Sequence, residues 1–145
     1  MLNTLRHVID DDDLWKKILL GLSEEFRHQT IDGSQVFDYI NQITGTDYTY
    51  FFDQYFRHAA LPELRINLVK KGDDVVANYR WKANVEGFNM SVKVTTAQGK
   101  FETIYPTMKN QSIELDGIHP DDFRVAEEQF LIDVNIRKTY LDPRR

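Results

Sequence analysis

The hydrophobic pattern of this chain changes its period near Pro62, and this change limits the possible folds more than any other feature. Before Pro62, apolar residues recur at the spacing of one face of an α-helix. From Leu64 onward, apolar residues alternate with polar ones, which is typical of half-buried β-strands. Proline lacks a backbone N–H and ends helices. We therefore predict a helical half followed by a sheet half.

The first 60 residues predict about four helices. Apolar residues at helical spacing begin the chain, and Asp10–Asp13 then provide an N-cap and negative charge for a second helix. Asp32, followed three positions later by Gln35, has the spacing of a capping box for a third helix. Gly45 suits the left-handed position that closes this helix. A last helix is predicted from Tyr48 to about Arg57.

The second half predicts several short strands that are separated by turn sequences. Short alternating strands at roughly ten-residue spacing are typical of an antiparallel β-sandwich. The segment Asp121–Glu128 is expected to form one or two helical turns or a loop. The strand candidates are Leu64–Val69, Val75–Trp81, Phe88–Val94, Phe101–Tyr105, Gln111–Leu115 and Phe130–Ile136.

Charge and composition exclude several classes of function. Eighteen Lys and Arg residues against 23 Asp and Glu residues leave a net charge of −5, so we predict no nucleic-acid partner. The absence of cysteine excludes disulfides, thiolate zinc sites and a cysteine nucleophile. No apolar stretch reaches the roughly 20 residues of a membrane span, and Met1–Asp13 lacks the features of a signal peptide. We expect a soluble chain whose localisation stays unknown.

We assign no catalytic, cofactor-binding or metal-binding residue in this chain. Its histidines are too widely spaced for the H-E-x-x-H motif of zinc peptidases: they are His7, His28, His58 and His119. Neither G-x-S-x-G nor a glycine-rich phosphate loop occurs. Helix starts and a turn explain the clustered carboxylates, which are Asp10–Asp13, Asp73-Asp74 and Asp121-Asp122. A small hydrolase remains an alternative if two carboxylates face each other in a closed pocket.

The densest signal in the sequence is an aromatic run from Tyr48 to Phe56. Aromatic rings could stack on bases or on sugar rings. On several sides of a short helix, however, they favour burial between two layers. A free-standing binding module that uses this run and the sandwich is the alternative function. Exposure of Tyr48, Tyr50 and Phe51 would favour that module, and their burial would count against it.

The order of the elements resembles a stretch of the aminopeptidase-N-like zinc metallopeptidases, which are gluzincin aminopeptidases. The start Met1–Arg6 is similar to a family helix that reads M-L-x-x-L-R and follows the zinc motif. The family then has an acidic turn with an aromatic helix, matched by Asp11–Trp15, and a threonine-containing turn with a helix, matched by Thr30–Phe37. Phe51–Tyr55 resembles its F-F-x-Q-[WY] helix, and Leu61–Leu64 its proline and first sandwich strand.

This resemblance implies a non-catalytic C-terminal fragment of a zinc aminopeptidase. In the family, the zinc ligands, the general-base glutamate and the transition-state tyrosine precede the position matched by Met1. None of them is therefore carried over to a residue of this chain. Zinc is expected in the parent enzyme, which would remove N-terminal amino acids from peptides. Because Met1 falls inside the matched helix, we expect a truncated chain that is inactive alone.

We therefore predict an α+β chain with two parts. Residues 1–60 would form the helical tail of a catalytic-type domain, and residues 61–145 an antiparallel, immunoglobulin-like β-sandwich. The expected partner is the missing catalytic domain, and peptide substrate is expected only for the parent. Apolar surface left uncovered by that domain would allow self-association through the helical half. Substrate preference stays open.

Overall fold

The computed structural model describes residues 1–30 and 32–141, in which four α-helices precede six β-strands. The helices are α1 Leu2–Ile9, α2 Asp12–Glu25, α3 Gly33–Thr44 and α4 Thr49–Arg57. The strands are β1 Glu63–Lys71, β2 Asp74–Lys82, β3 Val92–Ala97, β4 Lys100–Ile104, β5 Gln111–Leu115 and β6 Asp133–Leu141. This order confirms the α+β class. Ile31, within the matched segment Thr30–Phe37, and residues 142–145 at the end of the predicted sandwich lie outside the described residues.

The helix ends follow the signals in the sequence. The Asp11 carboxylate accepts a hydrogen bond from the backbone N–H of Leu14 at 3.0 Å and so begins α2. Asp32 and Gln35 form the reciprocal capping box at the start of α3. Gly45 ends α3 with φ of 68°, a conformation that a Cβ atom disfavours. These local bonds satisfy backbone groups that a helix end leaves without partners.

The strands form a four-stranded sheet in the order β5-β2-β1-β6 and a separate β3-β4 hairpin. Three of the four strand pairs are antiparallel. In the fourth pair, β6 runs parallel to β1, with Glu63 opposite Asp133. This parallel pair differs from the wholly antiparallel arrangement that we predicted. Hydrophobic alternation shows which side chains are buried but carries no information about strand direction. A parallel pair also needs a long connection, and here the whole of β2 to β5 intervenes.

Two predicted strands begin later than their hydrophobic pattern suggested. Phe88 and Met90 are fully buried, yet they precede β3. The carbonyl of Met90 accepts a hydrogen bond from the Trp81 indole at 2.9 Å rather than from a neighbouring strand. Phe130 and Ile132 are likewise buried and precede β6. Within the predicted segment Asp121–Glu128, only a 3-10 turn at Pro120–Asp122 forms, followed by a loop.

A single hydrophobic core contains side chains from both halves of the chain. Burying a large apolar side chain stabilises a fold by about 1.5–3 kcal/mol, so the helices and the sheets stabilise each other. The division at residue 60 stays a prediction. The largest fully buried apolar side chains are Leu5, Ile18, Phe51, Leu64, Leu68, Trp81, Phe88 and Met90.

Candidate functional site

The aromatic helix α4 packs against α3 and also against the sheet half. Phe51 is fully buried and Tyr48 is only 8% exposed, which confirms the predicted burial for these two residues. Phe52 stacks on Phe37 of α3 with ring centroids 4.0 Å apart, and the half-buried Tyr50 meets Phe88 edge to face at 5.3 Å. These rings therefore pack against other aromatic side chains of the protein. The aromatic run therefore does not provide the exposed surface that the binding-module alternative required.

Burial keeps two phenols of α4 protonated, and one of them donates a hydrogen bond to the sheet half. Burial raises the pKa of Tyr50 and of Tyr55 well above its usual value, because the charged phenolate would lose its hydration. Both hydroxyls therefore stay protonated at neutral pH. The Tyr55 hydroxyl donates to the carbonyl of Leu131 at 2.6 Å, in the segment that precedes β6. Tyr55 thus connects α4 to the sheet half.

Gln54 connects α4 to the loop after β2. Its side chain is fully buried, and its amide nitrogen donates to the carbonyl of Ala60 at 3.1 Å and to the side chain of Asn84 at 3.2 Å. Its amide oxygen accepts from the backbone N–H groups of Asn84 at 2.9 Å and Val85 at 3.2 Å. The side-chain amide of Gln54 thus donates two hydrogen bonds and accepts two, which is its full capacity. Sequence analysis assigned Gln54 no role, although a lone amide among aromatic residues was the available signal.

The short helix α1 is also attached to the sheet half. The Thr4 hydroxyl is buried and accepts from the backbone N–H of Leu131 at 2.9 Å. At the end of α1, the Asp10 carboxylate forms an ion pair with Lys93 of β3 at 3.0 Å. Helices α1 and α4 therefore both bind the segment around Leu131. These contacts make the helices and sheets one continuous packed unit.

The four histidines lie at separate places in the fold. His7 of α1 makes a 2.7 Å hydrogen bond with the carbonyl of Asn3, and His119 accepts from the backbone N–H of Asp121 at 3.1 Å. His28 follows α2, and His58 ends α4. Across residues 1–30 and 32–141, no group of three or more His, Asp or Glu side chains is placed to hold a metal ion.

The clustered carboxylates are exposed, and several are paired with cations. A hydrogen bond from Arg6 lowers the pKa of Asp12, and a hydrogen bond from Lys138 lowers the pKa of Asp121. Their distances to these cations are 3.0 Å and 2.6 Å. A general acid needs the opposite shift, since it must hold its proton near neutral pH. These carboxylates therefore do not form the closed pocket that the hydrolase alternative needs.

Several concavities occur on the surface of the described residues, and two of them adjoin the sheets. One, with a volume of about 270 Å³, lies between α1 and the β3-β4 hairpin and is lined by His7, Lys93 and Phe130 among others. The other, of about 410 Å³, lies on the outer face of the four-stranded sheet. Arginine and asparagine side chains dominate its lining, which gives it a cationic and amide-rich character. This surface was not predicted from the sequence, because Asn135 and Arg137 of β6 lie far along the chain from β1 and β2.

None of the described helices combines the length and apolar content that crossing a bilayer requires. No family model and no curated protein matches the sequence.

The fold itself is one that occurs inside an aminopeptidase. The chain is similar in structure to Legionella pneumophila aminopeptidase A, whose crystal structure contains aspartic acid, with a TM-score of 0.69 and 9% sequence identity. The match covers 92% of this chain and 16% of the aminopeptidase chain. At this identity the likeness shows the fold alone. The chain therefore spans less than a fifth of the enzyme that it resembles.

Proposed function

We propose that this chain is a non-catalytic C-terminal part of a zinc aminopeptidase and supports the catalytic domain of that enzyme. The observation that carries the proposal is the extent of the structural likeness, which takes in 92% of this chain but only 16% of an aminopeptidase. The resemblance of Phe51–Tyr55 to the family's F-F-x-Q-[WY] helix supports the same assignment. In this proposal the parent enzyme removes N-terminal amino acids from peptides.

In this proposal, no residue of this chain binds zinc. Its four histidines are separated in the fold, and the described part of the chain offers no cluster of potential ligands. Zinc and the chemical step are therefore assigned to the part of the parent enzyme outside this chain. What this chain contributes is shape and stability, through the bonds that Thr4, Gln54 and Tyr55 form between helices and sheets.

Exposed apolar side chains on three helices support contact with a further domain. Leu2 of α1 is 58% exposed, Leu19 and Leu20 of α2 are 47% and 65% exposed, and Phe56 of α4 is 57% exposed. Covering each of these side chains would contribute up to about 1.5–3 kcal/mol, so a partner domain gains from docking here. The same side chains would also allow self-association when that domain is absent.

Metal analysis and a peptidase assay test the proposal directly. The purified chain is expected to retain no zinc after dialysis and to release no product from aminoacyl 4-nitroanilides. Co-expression with the polypeptide encoded immediately upstream of Met1 is expected to give a complex that binds zinc and hydrolyses these substrates. Stoichiometric zinc in the chain alone, or an upstream sequence without H-E-x-x-H and a later glutamate, would contradict the proposal.

A further inference from the structure

Three strands of the larger sheet place three arginines and three asparagines on one outer face. Side chains alternate along a strand, and Leu64, Ile66 and Leu68 of β1 point into the core. Arg65 and Asn67 therefore point outward. Arg65 lies opposite Arg80 of β2 and Asn135 of β6, while Asn67 lies opposite Asn78 of β2 and Arg137 of β6. We call this surface the arginine face: Arg65, Asn67, Asn78, Arg80, Asn135 and Arg137.

The charges on the arginine face are incompletely balanced. Arg65 pairs with Glu63 at 2.9 Å. The guanidinium groups of Arg80 and Arg137 make no ion pair or side-chain hydrogen bond with the residues that the structure describes. Arg80 lies directly opposite Arg65 of β1, so two guanidinium groups are neighbours across these strands. This concentration of positive charge on a chain of net charge −5 favours an anionic occupant.

The limits of the face are also defined by charge. The next row of the sheet toward the start of β1 carries Lys82, Glu63 and Asp133, so the excess of positive charge begins at Arg65. On the β5 side, Ser112 lies opposite Asn78, and Asn110 precedes the strand. The cationic region is therefore a band across β2, β1 and β6, with amide groups between the guanidinium groups.

The asparagines distinguish between kinds of anion. A guanidinium binds a carboxylate or a phosphate through paired N–H groups. An asparagine amide both donates and accepts, whereas an ionised phosphate only accepts. A peptide backbone offers both N–H and C=O groups and so uses the amides fully. Three adjacent strands span about 10 Å, which suits an extended segment better than a single small ion.

We propose that the arginine face binds an acidic polypeptide segment. Its carboxylates contact Arg80 and Arg137, and its backbone groups contact the side chains of Asn67, Asn78 and Asn135. The assignment rests on charge and hydrogen-bonding complementarity and is independent of the proposed support of a catalytic domain.

Fluorescence anisotropy with a short labelled peptide of alternating glutamate and glycine tests this proposal. Arg80→Gln and Arg137→Gln are each expected to weaken binding about tenfold, as the loss of a charge-assisted hydrogen bond predicts. Arg27→Gln removes the same charge from an exposed position after α2 and is expected to leave the affinity unchanged. A peptide with glutamine in place of glutamate is expected not to bind.

Three results would overturn the proposal. Equal weakening by Arg27→Gln would indicate attraction by overall charge alone. Displacement of the peptide by inorganic phosphate at equal concentration would indicate a simple anion site. A dimer in sedimentation velocity that dissociates when Arg80 and Arg137 are both replaced by glutamine would identify a second copy as the occupant.

A variant that keeps the charge separates binding from folding. Arg80→Lys retains a cation but loses the planar pair of donors, so we expect affinity between those of the parent chain and Arg80→Gln. Thermal unfolding of each variant, followed by circular dichroism, is expected to match that of the parent chain. Full loss of binding only in variants that also unfold at lower temperature would count against the proposal.

Discussion

The hydroxyl of Thr4 accepts a hydrogen bond from the backbone N–H of Leu131 at 2.9 Å, across 127 residues of sequence. The carbonyl of the same leucine accepts from Tyr55 at 2.6 Å. Leu131, two residues before β6, therefore has its backbone N–H bound by α1 and its backbone carbonyl bound by α4. This arrangement holds the short helix α1 against the sheets, although eight residues would be marginal as an isolated helix.

We expect Thr4→Val to destabilise the fold by about 0.5–1.5 kcal/mol, because the backbone N–H of Leu131 would lose its acceptor. Valine has nearly the same shape as threonine, so packing around position 4 should change little. Denaturation with guanidinium chloride measures the free energy of unfolding. Thr103→Val, at an exposed position of β4, is the matched control and should leave that free energy unchanged. Equal effects of the two substitutions would refute a specific role for the Thr4 bond.

Gln54→Met is expected to cost roughly 2–4 kcal/mol of stability, because two backbone N–H groups, of Asn84 and Val85, would lose their acceptor. Methionine has a similar length and flexibility, so it can occupy the space without a large cavity. Thermal and chemical unfolding provide the measurement. Gln42→Met on the exposed side of α3 serves as the control, and a loss of similar size there would contradict the explanation.

The ion pair between Asp121 and Lys138 predicts a dependence of stability on pH. Its hydrogen bond lowers the pKa of Asp121 in the folded state, so the contribution is present above the unfolded pKa and is lost as pH falls through the folded pKa. The free energy of unfolding should therefore decrease below about pH 4, the usual pKa of an aspartate. Asp121→Asn should reduce this decrease, whereas Asp122→Asn, at an exposed neighbouring position, should not. Identical pH profiles for all three proteins would exclude this contribution.

Leu20→Glu tests whether the exposed apolar side chains of α2 form an interface. Because Leu20 is 65% exposed, the substitution should change the free energy of unfolding by less than about 0.5 kcal/mol. Under the proposed function, it should nevertheless weaken capture of the catalytic domain of the proposed parent enzyme in a co-expression pull-down. Lys17→Glu on the same helix introduces a glutamate at an exposed polar position and should preserve capture. Unimpaired capture by Leu20→Glu would remove this side chain from the interface.

Local features of the fold could be predicted because their causes lie within a few residues. The capping box of Asp32 and Gln35 and the left-handed Gly45 depend on neighbouring backbone groups, and both occur where the sequence placed them. The change of period after Pro62 separates helices from strands for the same reason. The buried face of α4 also followed from its own aromatic content. For the capping box, Gly45 and the change of period, the deciding interactions join residues that are close in sequence.

The candidate surfaces could not be predicted in this way. The arginine face depends on the register of β1 with β2 and with β6, which places Arg65 beside Arg80 and Asn67 beside Arg137. A shift of two residues in either register would separate these groups while keeping the same side chains buried, so alternation alone does not define the register. Gln54 is a further case, because its four partners belong to segments after α4 and after β2.

The sequence by itself determined the succession of four helices and a sheet half, since hydrophobic period and helix caps act over one or two turns of chain. Only the tertiary structure decided that β6 lies parallel to β1, that Thr4 meets Leu131, and that the arginines share one face. Those outcomes depend on which distant segments bury each other's apolar surface. That competition involves the whole core at once and leaves no local pattern in the sequence.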